Sequence, residues 1–395
     1  MNLIKREIKP SVINEFRKYQ YSLWKDLIIN GVNYLIKFGL NYDRHIFNPS
    51  NPQINIIPDL SYCKIAHYAT KIVKLQLESN TNKPLFLQFS FPELIDDIFF
   101  KLNNVLYIPM VYILDEPIVI KVKSIALKSL FQPITIFLEN NRVIFMGINI
   151  HIEDFFQFMT YTWSNSEKVA IQQHLSLDLN IKKIDTLISF FASKLNTEKE
   201  YIKIKKRINE LFFDDYTYDI YKKFYNIEPD IDTVLKIAIK RKIDNTKIEF
   251  IDLRYKRLSF IEPILTPFFK AVRLTTTMLI KGQQVRNTLI PFESIIKNFF
   301  NELHGEIFYD TVNGLTSILA HKASFKNPYS TESLPSIVSS IHPTHKGRIC
   351  PNTISNHNPG EMVSLIPNQK IDFETGRFIF SEQELKELEE YDMHK

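Results

Sequence analysis

Glycine and cysteine are both scarce in this sequence. Only 9 of its 395 residues are glycine, against about 7% in average proteins, so glycine-rich phosphate loops and flexible linkers have little material. The two cysteines, Cys63 and Cys350, are too few for a disulfide framework or a four-cysteine zinc site, which fits a reducing compartment. The longest apolar run, 105–114, falls well short of the roughly 18 residues that a membrane span needs. The first residues carry no apolar signal core. We therefore expect a soluble protein of the cytoplasm.

Common catalytic motifs are also missing. The sequence has no G-x-x-x-x-G-K-[ST], no G-x-G-x-x-G after a strand, no H-E-x-x-H and no G-x-S-x-G. It lacks a D-x-D-x-D cluster of the kind that holds two Mg²⁺ ions for phosphoryl transfer. The pairs Asp96-Asp97 and Asp214-Asp215 could hold a metal, but each lies beside aromatic residues in a helix-like stretch, which favours helix-end or surface charge. We predict no catalytic residue and no metal ligand in this chain.

The composition and the apolar patterns predict a globular chain of several domains. Hydrophobic residues make up 45% and charged residues 24%, and the net charge of +5 permits a nucleic-acid partner without requiring one. Alternating apolar residues predict strands at 68–77, 84–91, 105–114, 117–122 and 133–150. Helical spacing, with caps at Ser11, Thr197 and Ser381, predicts helices from 11, at 152–161 and 184–195, from 197, at 230–242 and 291–303, and from 381. Because strands and helices occur in separate runs, we predict the α+β class.

The segment 340–351, S-I-H-P-T-H-K-G-R-I-C-P, stands apart from the rest of the chain. Two histidines, a lysine and an arginine fall within seven residues. The prolines restrict the backbone, and the glycine between them permits a tight turn. A stiff cationic loop of this kind can present donors to phosphates in a fixed register. Two other interpretations stay open: a buried turn whose side chains satisfy carbonyl groups, and a zinc site of His342, His345 and Cys350, whose spacing matches no zinc finger.

Residues 342–351 resemble the signature H-P-[ST]-H-[YW]-G-R-[ILV]-C-P of the β subunit of cellular multisubunit RNA polymerases. Nine of the ten positions match, and only Lys346 departs. A fainter, collinear resemblance extends upstream to the family's F-F-G-x-S-Q-L-S-Q-F-M-D-Q-x-N-P-L-S-x-x-T-H-K-R-R stretch. The matching residues there are Phe299-Phe300, Phe308, Asp310, Asn313, Leu315-Thr316 and His321-Lys322. The two arginines that end the family stretch are replaced by Ala323 and Ser324.

The chain looks like the N-terminal half of a split β subunit, as in the non-virion RNA polymerases of giant phages. In that family this half forms a protrusion and a lobe beside the DNA cleft. The resemblance therefore implies a multidomain α+β fold of the β-subunit protrusion and lobe type. The implied boundaries are 1–119 and 251–320 for the protrusion, 120–250 for the lobe, and 321–395 for the fork region and the start of the interface to the other β half.

The activity implied by the resemblance is transcription of viral genes by the assembled DNA-directed RNA polymerase, a nucleotidyltransferase, in the host cytoplasm during phage infection. This chain is expected to be a non-catalytic, DNA-binding subunit that is inactive alone. It is expected to hold no cofactor, because Mg²⁺ belongs to the partner β′ chain. The implied partners are a C-terminal β half, β′ chains that can themselves be split, template DNA, nascent RNA and a promoter-specificity subunit. No membrane is implied.

The resemblance also implies which residues line the cleft or support its wall. They are Phe308, Asp310, His321, Lys322, His342, His345, Lys346 and Arg348. A polymerase holds the RNA–DNA hybrid by its backbone charge without reading its sequence, which is a role for cations. Arg348 is expected either to brace the loop or to reach a phosphate. The histidines of the loop are expected either to contact nucleic acid or to support the loop through carbonyl groups.

Two alternative functions stay open, and the C-terminal residues predict an interface with a partner. The chain could be a stand-alone nucleic-acid-binding or regulatory protein with a decayed polymerase fold, or a structural phage protein. The apolar runs 362–366 and 378–380 are typical of strands that need partners. We therefore expect a large apolar interface along 363–380, followed by a charged helix.

Overall fold

The computed structural model describes about two thirds of the chain. The described residues are 11–34, 56–65, 68–77, 85–92, 100–102, 105–108, 110–145, 147–175, 177, 184–195, 197–244, 249–259, 261–263, 265, 269, 305–306, 321–325, 334–354 and 362–393. At 56–108, at 305–306 and at some positions of the first helix, only the backbone is described. The predicted helix 291–303, the pair Asp96-Asp97 and the predicted site residues Phe308 and Asp310 lie outside the described residues.

The chain divides into two compact units. The first consists of Met1–Asn33, Pro49–Leu114 and Glu249–Lys395, and the second of Tyr34–Asn48 and Asp115–Ile248. The expected lobe, 120–250, overlaps most of the second unit, and the ranges expected for the protrusion and the fork fall mainly in the first. The assignment of either unit to a part of a polymerase stays a prediction.

An antiparallel meander forms the sheet of the second unit. Its strands are β7 (Ile118–Ile120), β8 (Ser124–Leu127), β9 (Ile134–Phe137), β10 (Arg142–Phe145) and β11 (Ile148–His151), paired in chain order. Alternate side chains are buried, such as Ile134 and Ile136 on β9 and Val143 and Phe145 on β10. This period of two arises because successive side chains of a strand point to opposite faces. The strands predicted at 117–122 and 133–150 are confirmed.

Six helices follow this sheet among the described residues of the second unit. They are α2 (Ile152–Met159), α3 (Asn165–Leu175), α4 (Ile184–Leu195), α5 (Tyr201–Phe212), α6 (Asp215–Tyr225) and α7 (Ile231–Ile243). Their apolar faces share one core with the sheet, in which the ring centroids of Phe158 and Phe191 lie 4.1 Å apart. Asp214 caps α6, since its carboxylate accepts a hydrogen bond from the Thr217 N–H at 3.0 Å. The helix-end interpretation of the Asp214-Asp215 pair is therefore confirmed.

The predicted helix start at Thr197 is wrong. α5 begins four residues later, at Tyr201, and its N-cap residue Glu200 makes no capping hydrogen bond with its side chain. The Glu200 carboxylate instead accepts a hydrogen bond from Lys203 Nζ at 3.0 Å. This ion pair occupies the carboxylate that a reciprocal cap with Thr197 would need.

The described part of the first unit contains the long helix α1 (Val12–Tyr34) and three sheets. As predicted, Ser11 caps α1, because its Oγ accepts a hydrogen bond from the Asn14 N–H at 3.2 Å. One sheet consists of β1 (Ile56–Ile65), β2 (Tyr68–Leu77) and β3 (Leu85–Pro92), and another of β4 (Phe100–Leu102), β5 (Val105–Ile108) and β13 (Gly305–Glu306). The third contains, in order, β12 (Lys256–Ser259), β6 (Val111–Asp115), β14 (Lys322–Ser324) and β15 (Val363–Ser364).

The strands predicted at 68–77 and 84–91 are confirmed, whereas the one predicted at 105–114 is two strands. β5 and β6 belong to different sheets. Pro109 lies between them in the sequence, and a proline has no backbone N–H with which to continue a ladder.

The C-terminal segment packs inside the first unit rather than presenting an apolar face. Val363, Leu365 and Phe378 are at most 2% exposed and share a core with Ile13 and Phe16 of α1. The expected apolar interface along 363–380 is therefore wrong for these side chains, because they already have partners within the chain. The final helix α8 (Glu382–Met393) begins with the predicted capping box, in which the Ser381 N–H donates to Glu384 Oε2 at 2.7 Å.

The described elements confirm the α+β class. Helices and strands of both units occur in separate runs along the chain. Among the described helices, none has the length and apolar character needed to cross a bilayer.

Candidate nucleic-acid interface

Residues 342–351, called the signature loop from here on, begin with a short 3₁₀ helix, Pro343–His345. His342 caps this helix, since its Nδ1 accepts a hydrogen bond from the Thr344 N–H at 3.3 Å. In return, His345 Nδ1 accepts from the His342 N–H at 3.3 Å. The two histidines therefore hold each other's backbone in a reciprocal cap.

His345 and Thr344 tie the loop to the segment 249–253. With Nδ1 of His345 accepting, its Nε2 carries the proton and donates to the Ile251 carbonyl at 3.0 Å. The Thr344 hydroxyl accepts a hydrogen bond from the Leu253 N–H at 3.1 Å and lies 2.7 Å from His342 Nδ1. The loop is thus fixed by side chains whose partners are about 90 residues away in the sequence.

Both histidines are neutral at pH 7, because the loop buries them. His342 is 2% exposed and His345 is 3% exposed. Burial lowers the pKa of His345 to about 4, and it also lowers the pKa of His342. These side chains therefore support the loop as uncharged hydrogen-bonding groups and bring no cationic charge to a phosphate at neutral pH.

Arg348 braces the loop from within. Its Nη1 donates to the Lys346 carbonyl at 3.1 Å and to Glu384 Oε1 of α8 at 3.0 Å, and its Nη2 donates to the Ile379 carbonyl at 2.9 Å. The guanidinium also lies 3.9 Å from the ring centroid of Phe380, within cation–π range. Of the two roles expected for Arg348, the structure shows bracing, with the side chain only 6% exposed.

Lys346 and Gly347 form the exposed tip of the loop. The Lys346 side chain is 84% exposed, and its Nζ lies 3.8 Å from Glu387 of α8. Gly347 has φ +71°, in the left-handed region that other residues rarely adopt. The tip can therefore approach a ligand, whereas the rest of the loop is built for support.

His321 belongs to a second buried polar cluster, with α1. Its Nδ1 lies 3.2 Å from Arg17 Nη1, and its Nε2 lies 3.4 Å from Ser11 Oγ. Burial, together with the charge of Arg17, lowers the pKa of His321 to about 3. Because Arg17 donates at Nδ1, the neutral ring presents its Nε2–H to Ser11. Lys322 follows in β14 and is half-buried.

The two clusters are connected through the strand segment that contains β15. The Leu365 N–H donates to the His321 carbonyl at 2.8 Å, and the Ile366 N–H donates to the Arg348 carbonyl at 2.8 Å. The structure therefore brings together His342, His345, Lys346 and Arg348 in one loop and ties His321 to it by backbone. Contact between any of these residues and nucleic acid stays a prediction.

A groove of about 580 Å³ lies between the signature loop and α8. Apolar side chains such as Ile341, Phe380 and Leu388 line it, with the charged groups of Arg348 and Glu384. Within the described part of the chain, no group of three histidine, cysteine, aspartate or glutamate side chains could hold a metal ion. Cys350, the third residue of the zinc interpretation, is buried, and its backbone N–H donates to the Ser364 carbonyl.

Sequence reasoning missed the partners that complete this site. Arg254 pairs with Asp252 and, across to α8, with Asp392 at 2.8 Å. Glu384 and Glu387 of α8 pair with the two cations of the loop. The acidic run at 382–392 could have indicated that cations lie near this helix, since so many carboxylates need them. Residue spacing alone could not show which cations these are.

Comparison with models of known protein families gives no match, and neither does comparison with curated proteins.

Proposed function

We propose that this chain is the N-terminal β half of a multisubunit DNA-dependent RNA polymerase whose β subunit is split. In this proposal the chain is a non-catalytic subunit. It forms part of the wall that holds the template and the RNA–DNA hybrid, and the catalytic Mg²⁺ is held by a partner β′ chain. The protein works only in the assembled enzyme and transcribes viral genes in the host cytoplasm.

One observation carries the proposal: the matching histidines, glycine, arginine, isoleucine and cysteine of the signature shape or anchor the loop, whereas the side chain at the one departing position lies exposed at its tip. The two histidines cap the loop and Arg348 braces it. Gly347 adopts a positive φ. The buried Ile349 and Cys350 pair with the segment around β15. Lys346, the departure, is exposed. A resemblance by chance has no reason to separate the matching from the differing positions in this way.

The buried state of the loop also agrees with this proposal. A polymerase wall must keep its shape while the hybrid moves along it, so its supporting groups are best held by hydrogen bonds inside the protein. The contacts of His345 with Ile251 and of Arg348 with Ile379 are of this kind. Exposed cations such as Lys346 can then attract the backbone without reading its sequence.

The test is reconstitution. This chain is produced together with a candidate C-terminal β half and with chains that carry the N-A-D-F-D-G-D motif of β′, and one of the partners is tagged. We expect the chain to co-purify with them and the mixture to incorporate nucleotides on a DNA template. Activity should disappear when this chain alone is omitted. A stable chain that never joins such partners would support the stand-alone alternative.

Two loop variants sharpen the reconstitution. Ile349→Asp puts a charge into the core beneath the loop, where the side chain is 1% exposed, and should abolish assembly or activity. Lys346→Tyr restores the residue type of the family signature at the exposed tip and should assemble with the partners as the wild type does. Equal activity of the Ile349→Asp enzyme and the wild type would refute a role for the loop.

A further inference from the structure

α8 is a strongly acidic helix. Its 12 residues include one lysine and six carboxylates, at 382, 384, 387, 389, 390 and 392. Three of the carboxylates lie in the last turn or next to it, where the negative end of the helix dipole disfavours them, and the helix has no basic residue of its own in that turn. A helix of this length is also marginal in isolation. α8 therefore depends on its surroundings for stability.

Those surroundings hold α8 mainly by charge. Leu388 is its only buried residue, so apolar burial contributes little. Three carboxylates pair with cations of the first unit: Glu384 with Arg348, Glu387 with Lys346, and Asp392 with Arg254. Their side chains are 39%, 53% and 47% exposed, so water and salt screen these pairs.

The three cations lie along α8, each next to one of these carboxylates. Glu384 and Asp392 are eight residues apart, which corresponds to about 12 Å along a helix. That span is long enough for more than one phosphate of a nucleic-acid strand. Arg348 also keeps an unused donor, because its buried Nε has no hydrogen-bond partner within the part of the chain that the structure describes.

We propose that α8 is an acidic latch that occupies a polyanion-binding site. The site consists of Arg254, Lys346 and Arg348, and the phosphate backbone of a single nucleic-acid strand replaces the carboxylates when α8 lifts. The proposal rests on the proposed function for the identity of the polyanion. In this exchange the backbone replaces the contact of Arg348 with Glu384, while its hydrogen bonds to the Lys346 and Ile379 carbonyls stay.

The test compares two triple variants of the full-length chain. The latch variant, Glu384→Gln with Glu387→Gln and Asp392→Asn, removes the three ion pairs. The control variant, Glu382→Gln with Glu389→Gln and Glu390→Gln, removes the same charge from exposed positions of the same helix. Binding of a fluorescein-labelled single-stranded DNA oligonucleotide is measured by anisotropy at low salt. Hydrogen exchange of α8 peptides is followed in parallel.

We expect the latch variant to bind the oligonucleotide about tenfold more tightly than the control variant and to exchange the amides of α8 faster. Adding Lys346→Ala and Arg254→Ala to the latch variant should abolish the gain. In the wild type, exchange of α8 should accelerate with salt, which tests the latch without any substitution. Equal affinities of the two triple variants, a gain without faster exchange, or a gain that survives loss of the two cations would each overturn the proposal.

These outcomes are independent of the reconstitution experiment. A chain that assembles with polymerase partners but shows no difference between the triple variants refutes the latch alone. A latch variant that gains affinity in a chain that never assembles refutes the proposed function alone.

Discussion

The buried histidines make the first unit sensitive to mild acid. Burial lowers the pKa of His321 to about 3 and that of His345 to about 4, below the ordinary value of about 6.5 that each regains on unfolding. Between these values the unfolded chain binds protons that the folded chain does not. Stability is therefore complete above about pH 6.5 and falls as the pH drops toward the folded pKa values.

The size of the loss follows from the pKa difference. At pH 5 an unfolded histidine lies about 1.5 pH units below its pKa, which corresponds to about 2 kcal/mol for each side chain that stays neutral when folded. His321 and His345 together predict that the free energy of unfolding of the first unit falls by about 4 kcal/mol between pH 7.5 and pH 5.

Urea unfolding at several pH values, read out by hydrogen exchange of peptides from 342–354, measures this loss for the first unit alone. His345→Gln should reduce the loss by about half, to about 2 kcal/mol, even though the variant is less stable at every pH. His174→Gln, on an exposed face of α3, is the matched control and should leave the loss unchanged. The reasoning would be refuted if the free energy of unfolding of the wild type fell by less than about 1 kcal/mol between pH 7.5 and pH 5. It would also be refuted if that of His345→Gln fell by the full wild-type amount.

Three further predictions concern stability elsewhere in the chain. Gly376→Ala should lower the free energy of unfolding in urea by at least about 3 kcal/mol, because φ is +72° and a Cβ would lie 2.0 Å from the Leu258 carbonyl oxygen. Gly347→Ala should lower it by only about 1 kcal/mol, because φ is a similar +71° but a Cβ would have no atom within 4 Å. Gln369→Met should raise the melting temperature of the first unit, because the amide is 4% exposed and neither its oxygen nor its nitrogen has a hydrogen-bond partner among the described residues. Burial raises the pKa of Asp214 to about 6, so the second unit should be about 1 kcal/mol more stable at pH 5 than at pH 7, and Asp214→Asn should remove that difference.

Local patterns predicted most of the secondary structure, because they depend on neighbouring residues. Helix α4 and strand β2 have the predicted bounds, since apolar residues recur there with a clear period. The caps at Ser11 and Ser381 were also predictable, because a capping side chain bonds to a backbone group three residues away. The predicted cap at Thr197 was wrong, because the capping pattern does not take Lys203 into account. Lys203 forms an ion pair with the Glu200 carboxylate that the cap would need.

That the signature loop is stiff, turned at Gly347 and rich in cations follows from its residues alone, because proline and glycine act through the local backbone. What those cations do follows from the fold. Arg348 finds its carboxylate on α8 and its carbonyl at Ile379, more than 30 residues away. The role of a charged side chain depends on the partners that folding brings within hydrogen-bond distance, and these leave no trace in its local sequence.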